Sequence, residues 1–208
     1  MAARHGKGRR PPRQTKKRLL VVVEGDKDKS EQAYLQRLDQ YLRPGGLTPS
    51  FKVVPAGGEP TRVLKKCRQY LEKDAYDLAC LVVDRDKHQR LDDVIRRAKA
   101  NNIGKKRFPI YVLVTNPQFE LWLLWYVEDQ RAFISSSDLK DRVERANLVV
   151  GKSGKSLSPK FPIERFPEAV KRAEACEKAP APWQMGTNPY SGLPWLVKVL
   201  ETGQIPSA

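Results

Sequence analysis

Six apolar residues in a row, Leu78-Ala79-Cys80-Leu81-Val82-Val83, stop abruptly at Asp84-Arg85-Asp86. A run this short, with valines at its end, reads as a strand buried on both faces, and such strands belong inside a parallel sheet. In open α/β sheets ligands bind outside the carboxyl ends of the strands. Asp84 and Asp86 fall at that end, separated by one residue, so they are placed either to share a divalent cation or to cap the helix that follows.

A second stretch has the same design. Leu19, Leu20, Val21, Val22 and Val23 run into Glu24-Gly25-Asp26, where the glycine permits a tight turn into a helix. If the two strands are parallel neighbours, Glu24, Asp84 and Asp86 converge at one rim. Carboxylates gathered this way repel one another unless a metal or protons compensate, which favours a cation site.

Between and after these strands the periodicity alternates. Ala33, Tyr34, Leu35, Leu38, Tyr41 and Leu42 recur at helical spacing before Pro44-Gly45-Gly46, and Phe51 to Val54 forms a short strand. Glu59-Pro60 opens a helix striped by Val63, Leu64, Cys67, Tyr70 and Leu71, and Leu91, Val94, Ile95 and Ala98 mark another before the strand Pro109 to Val114. Four strands separated by three amphipathic helices predict an α/β fold: a mostly parallel four-stranded sheet with helices on both faces. From residue 116 onward the pattern is helical. Phe119 to Trp125 is apolar nearly all round, with Glu120 either serving the acidic rim or facing solvent on the first helical turn. Helices are expected over Leu139 to Leu148, Ile163 to Glu177 and after Pro194, so the chain divides into a basic arm (residues 1–17), an α/β core (residues 18–115) and a C-terminal helical extension packed on it (residues 116–208).

Charge narrows the partners. The 208 residues carry a formal net charge of +15, and the arm alone holds Arg4, Lys7, Arg9, Arg10, Arg13, Lys16 and Lys17 with no acid. Such a balance suits a polyanion, above all nucleic acid, bound by phosphate contacts and counterion release. No apolar stretch is long enough for a membrane span, and the arm has no signal-peptide core, so a cytoplasmic location is expected. Cys67, Cys80 and Cys176 are odd in number, far apart and set in apolar segments, as reduced thiols are. Gly151-Lys152-Ser153-Gly154-Lys155-Ser156 contains Gly-Lys-Ser twice, yet Ala146 and Val149 stand where a nucleotide-hydrolysing P-loop needs glycine. Lys152 and Lys155 can still grip substrate phosphates. Only His5 and His88 are present, and His88 is near enough to the acid pair to assist proton transfer or simply to start an exposed helix.

The chain resembles the RloB-like family, which belongs to the wider Toprim superfamily of metal-dependent nucleases, topoisomerases and primases. The resemblance lies in Val-Val-Val-Glu-Gly with Ser30-Glu31 and Tyr34 beyond it, in Val83-Asp84-Arg85-Asp86 with His88, in Asn116 to Leu124, and in Asn188-Pro189 followed by Leu196-Val197. It implies a Toprim-like sheet in which Glu24 acts as general acid or base while Asp84 and Asp86 hold Mg²⁺, with Mn²⁺ as a substitute and Glu24 close enough to join the metal site. Glu31 and Glu120 are then supporting residues, and Asn116 joins Lys152 and Lys155 as a substrate contact. At family level it further implies a role in bacterial antiviral defence, beside a genomically neighbouring ATPase. The expected activity is hydrolysis of phosphodiester bonds in DNA or RNA. The alternative is a noncatalytic nucleic-acid-binding or partner-docking protein that keeps the same sheet. Two departures from the family pattern stand out: Asp26 to Lys29 looks inserted between Glu-Gly and Ser-Glu, and Gln118 replaces a cysteine.

Overall fold

The computed structural model describes residues 16–45, 49–85, 90–151, 156–177 and 179–204. In chain order the elements are β1 (Arg18–Val23), α1 (Ser30–Leu42), β2 (Ser50–Pro55), α2 (Pro60–Lys73), β3 (Leu78–Asp84), α3 (Leu91–Lys99), β4 (Asn102–Ile103), β5 (Lys106–Arg107) and β6 (Tyr111–Asn116). There follow α4 (Glu120–Leu124), α5 (Ser136–Arg145), β7 (Val149–Val150), β8 (Ser156–Leu157), α6 (Phe166–Cys176), β9 (Tyr190–Ser191) and α7 (Leu193–Thr202).

The main sheet has the order β2-β1-β3-β6-β9. β1 is parallel to both β2 and β3, and β3 is parallel to β6, so the two acid-terminated strands are direct neighbours with Val23 opposite Val82. Both are apolar throughout because both faces are covered. Leu19, Val21, Val23, Cys80 and Val82 point into one core with α1 and α4 to α7. Leu20, Val22, Ala79, Leu81 and Val83 point into the other, against Val63, Leu64 and Cys67 of α2 and Val94 and Ala98 of α3. Side chains alternate across a strand with a period of two, so each residue step changes which helical layer is served.

The expected four strands are five. Tyr190 and Ser191 pair antiparallel with Asn116 and Thr115, Gly192 N–H donates to Val114 O at 2.9 Å, and the Thr115 and Ser191 hydroxyls lie 3.0 Å apart. Two residues cannot show a strand period, so this addition is set by hydrogen bonding to β6 and not by local pattern. A short hairpin, β4–β5, also intervenes between α3 and β6, and a second, β7–β8, flanks the basic loop.

The residues after 115 do not form a separate core. Leu121, Trp122, Leu124, Leu139, Ala169 and Leu196 are buried in the same cluster as β1, β3 and α1. Tyr34 sits at its centre, with edge contacts to Phe119, Trp122, Tyr126 and Phe161 at ring separations of 5.6, 6.4, 5.9 and 6.0 Å. Its hydroxyl and that of Tyr126 satisfy one another at 2.8 Å, as buried polar groups must. Cys67 and Cys80 are buried free thiols, and Cys176 is a partly buried one. Among the described residues no helix is long and apolar enough to cross a membrane.

Candidate active site

The carboxyl ends of β1 and β3 meet as neighbouring parallel strands must. Glu24 N–H donates to Val82 O at 3.1 Å, continuing the ladder one residue past β1. Asp84 N–H then donates to the Glu24 carboxylate at 3.0 Å. The Asp84 carboxylate in turn accepts the Phe119 N–H at 2.8 Å, from the residue just before α4. Each acid is thus held by the backbone of the next segment: β3 holds Glu24, and the entry to α4 holds Asp84. The Asp84 carboxylate is engaged by the entry to α4 and not by α3, whose N-cap residue, Arg90, makes no side-chain cap hydrogen bond.

Two helical acids complete the cluster. Glu31 lies in the first turn of α1, where Ser30 Oγ donates to its carboxylate at 3.2 Å. The chain reaches it through the turn at Asp26 to Lys29, in which Lys29 N–H donates to Asp26 O at 3.3 Å and Asp28 is left-handed with φ 65°. The apparent insertion therefore folds back on itself. A Cβ on Gly25 would lie 2.6 Å from both Glu31 carboxylate oxygens, so the lack of a side chain at Gly25 is what admits this carboxylate to the rim. Glu120 is the first residue of α4, partly exposed. Tyr34, one turn after Glu31, packs on Phe119, the residue before Glu120, so the aromatic cluster fixes both helical starts.

The electrostatics centre on Asp84. Burial pushes its carboxyl well above the usual range, and the charges of Glu120, Glu24 and Glu31 push it further, against the lowering effect of the Phe119 N–H. The carboxylates that follow β1 and that open α1 and α4 therefore all bear on the one that ends β3, at a single edge of the sheet. Among the described residues no three His, Cys, Asp or Glu side chains are already gathered as a ready metal cage.

Asn116, the last residue of β6, stands at the same edge. Its side-chain amide donates to Gly186 O at 3.0 Å, and Arg85 Nη1 donates to the same carbonyl at 2.7 Å. Asn116-Pro117 and Asn188-Pro189 are both cis. Gly186 adopts φ 51°, and a Cβ there would fall 2.0 Å from the Tyr190 ring, so this carbonyl can be presented only by glycine. Asp86, His88, Lys152 and Lys155 lie outside the described residues, as does the arm before Lys16. The sequence reading singled out neither the Phe119 N–H nor Gly186. The first is a backbone group with no side-chain signature, and the second carries its signal only as a lone glycine in a loop.

A mostly parallel α/β sheet with an acidic rim at its carboxyl edge and a helical layer sharing its core is the class of protein defined by these features. A family model described as RloB-like protein matches residues 19–200, nearly all of the chain after the arm, and the protein belongs to that family. No curated protein and no solved structure matches the chain.

Proposed function

We propose that the protein is a Mg²⁺-dependent nuclease that hydrolyses phosphodiester bonds of DNA or RNA on a Toprim-like sheet, acting in bacterial antiviral defence with a neighbouring ATPase as partner. The observation that carries this reading is the crowding around Asp84. A partly buried carboxyl pressed by three others, at the end of a central parallel strand, is a poor choice for stability and a good one for a hard cation. The donor set fits Mg²⁺ in kind, since every candidate ligand offers oxygen and the excess negative charge is what a divalent ion would offset. Glu24 and Asp84, joined by Asp86, would hold it, with Glu31 and Glu120 supporting.

When bound, the ion would stabilise charge on the phosphoryl and leaving oxygens and lower the pKa of a bound water. The protein supplies the rest. Glu24, oriented by the Asp84 N–H, takes the proton from the attacking water or gives one to the leaving oxygen. Asp84, oriented by the Phe119 N–H, keeps its carboxylate in one rotamer, so ligand geometry does not have to be assembled at each turnover. The basic surface neutralises the nucleic-acid backbone.

The test is incubation of the purified chain with end-labelled tRNA, single-stranded and duplex substrates, with and without Mg²⁺ or Mn²⁺. Metal-dependent cleavage that is lost in Asp84→Asn and Glu24→Gln is the expected result. A noncatalytic nucleic-acid-binding or partner-docking role is the second reading, favoured by a net charge of +15 that suits a polyanion whether or not it is cleaved. It predicts tight binding without turnover by any variant, even with the ATPase supplied.

A further inference from the structure

Charge is distributed unequally over the two helical layers. On the side of α2 and α3, those helices and the hairpin segment 102–107 together carry eleven basic residues against three acidic ones, whereas α5 and α6 on the opposite side carry five against five. α2 accounts for half of the difference, with Arg62, Lys65, Lys66, Arg68 and Lys73 against Glu72. Like charges one turn apart, as at Arg62 and Lys66, cost a helix about 0.2–0.5 kcal/mol per pair, so helix stability does not explain the pattern.

These cations line a feature. An open groove of about 620 Å³ runs between the two helices and is bordered by Arg62, Lys65, Arg68 and Arg97, with Glu72 its sole acid. Neither Arg62 nor Lys65 pairs with a described carboxylate. Arg68 is fixed across the groove, its Nε donating to Asn101 Oδ1 at 3.0 Å and its Nη2 to Arg97 O at 3.2 Å. Arg68 and Glu72 also border a second hollow that continues to Asn102, Ile103 and Gly104, where the hairpin presents Lys105, Lys106 and Arg107. The upper end abuts the acidic rim. Gly58 N–H donates to Glu24 O at 3.2 Å, and the Arg62 side chain packs 3.3 Å from where a Gly58 Cβ would lie.

We infer that this groove is the track for the sugar-phosphate backbone of the nucleic acid, leading along α2 from the hairpin to the acidic rim. The direction of travel rests on the nuclease reading of that rim; the binding itself does not. No aromatic side chain lines the groove, so it grips phosphates and does not stack bases, and its recognition is independent of sequence. A fourteen-residue α2 is about 21 Å long at 1.5 Å per residue, enough to lie beside about six phosphates of one duplex strand.

The test measures binding apart from chemistry, by fluorescence anisotropy in EDTA over a salt series, with duplex DNA, duplex RNA and single-stranded RNA as separate arms. The paired substitution Arg62→Glu with Lys65→Glu should weaken binding at least tenfold in the arm that represents the substrate and reduce the salt slope by about 2 units. The same change of charge on the opposite layer, Lys140→Glu with Lys171→Glu, should weaken it less than twofold. Arg62→Gln with Lys65→Gln, whose unchanged melting temperature would certify folding, should give an intermediate loss. Equal losses from the two charge-reversal pairs, or none from the groove pair, would overturn the track. The nuclease reading fails separately. Wild type that binds through the groove but never cleaves with Mg²⁺ would leave the track standing, and cleavage with unaltered KM in the groove variants would remove the track and keep the nuclease.

Discussion

The two faces of the sheet solve different problems with the same strands. Toward α1 and α4 to α7 the layer is thick and aromatic: Tyr34, Phe119, Trp122, Trp125 and Tyr126 are all essentially inaccessible, and the helices outside them balance their charges. Toward α2 and α3 the layer is thin and mostly aliphatic, and its outer surface is a basic groove. The acidic rim lies where the two meet, drawing Glu31 and Glu120 from the aromatic side and leaving Arg62 on the other. One layer therefore holds the acids in position, while the other presents cations along an open groove. Substitutions on the first should register as stability and those on the second as binding.

The rim itself should give the largest effect. Asp84→Asn keeps an oxygen to accept the Phe119 N–H but removes a charge, and a loss of more than about a thousandfold in metal-dependent cleavage is expected, equal to about 4 kcal/mol of transition-state stabilisation. Binding in EDTA should change less than twofold. Gel-based cleavage and anisotropy on the same preparation check both, and parallel losses would mean that rim and groove are not separable.

Trp122→Ala should come next, costing about 3–5 kcal/mol of folding stability by urea denaturation, because it empties the middle of the aromatic layer. A loss no greater than that of an exposed α2 substitution, typically within about 0.5 kcal/mol, would erase the contrast between the faces. Tyr126→Phe should cost about 1–3 kcal/mol by stranding the Tyr34 hydroxyl, whereas Tyr34→Phe with Tyr126→Phe should recover most of it. A double variant as unstable as the sum of the singles would show that the hydroxyl pair is not the unit.

The smallest effect concerns pH. Because the folded chain raises the pKa of Asp84, it binds that proton more tightly than the unfolded chain does, and stability falls as pH rises from the ordinary aspartate value of about 3.9 through the higher folded one. At pH 7 without divalent ions, Asp84→Asn should therefore melt about 2–4 °C above wild type, the scale of 1 kcal/mol for a chain of this size. The gain should vanish below the unfolded pKa, where both states carry the proton. Mg²⁺ should raise the melting temperature of wild type and not of the variant. Scanning calorimetry across pH decides it, and a gain that persists in acid would assign the effect to packing.

How much of this was legible varied with the kind of signal. The sheet could be read because β1 and β3 are apolar on consecutive residues and run into acids, a pattern that fixes both burial and which end of the sheet is acidic. β9 could not, since Tyr190 and Ser191 become a strand only by bonding to residues more than seventy positions earlier. The meeting of Glu24 with Asp84 followed from strand adjacency. The return of Glu31 past Asp26 to Lys29 required the turn and the bare Gly25, which no periodicity encodes. The groove was present in the sequence only as net charge. Its cations sit on two helices and a hairpin, and only folding aligns them.

The linkage by which β3 holds Glu24 and the entry to α4 holds Asp84 divides the cluster into two tiers. The strand pair is dimensioned by peptide geometry, so its spacing is inherited with the sheet and resists retuning. Glu31 and Glu120 ride on helix starts cushioned by aromatic rings, whose volumes can be exchanged. Under the proposed nuclease reading, ion preference would be adjustable through the packing around Tyr34 and Phe119 without redrawing the strands. An engineer, or natural variation, could respace the two helical carboxylates by altering rings that lie behind the rim and form no part of it.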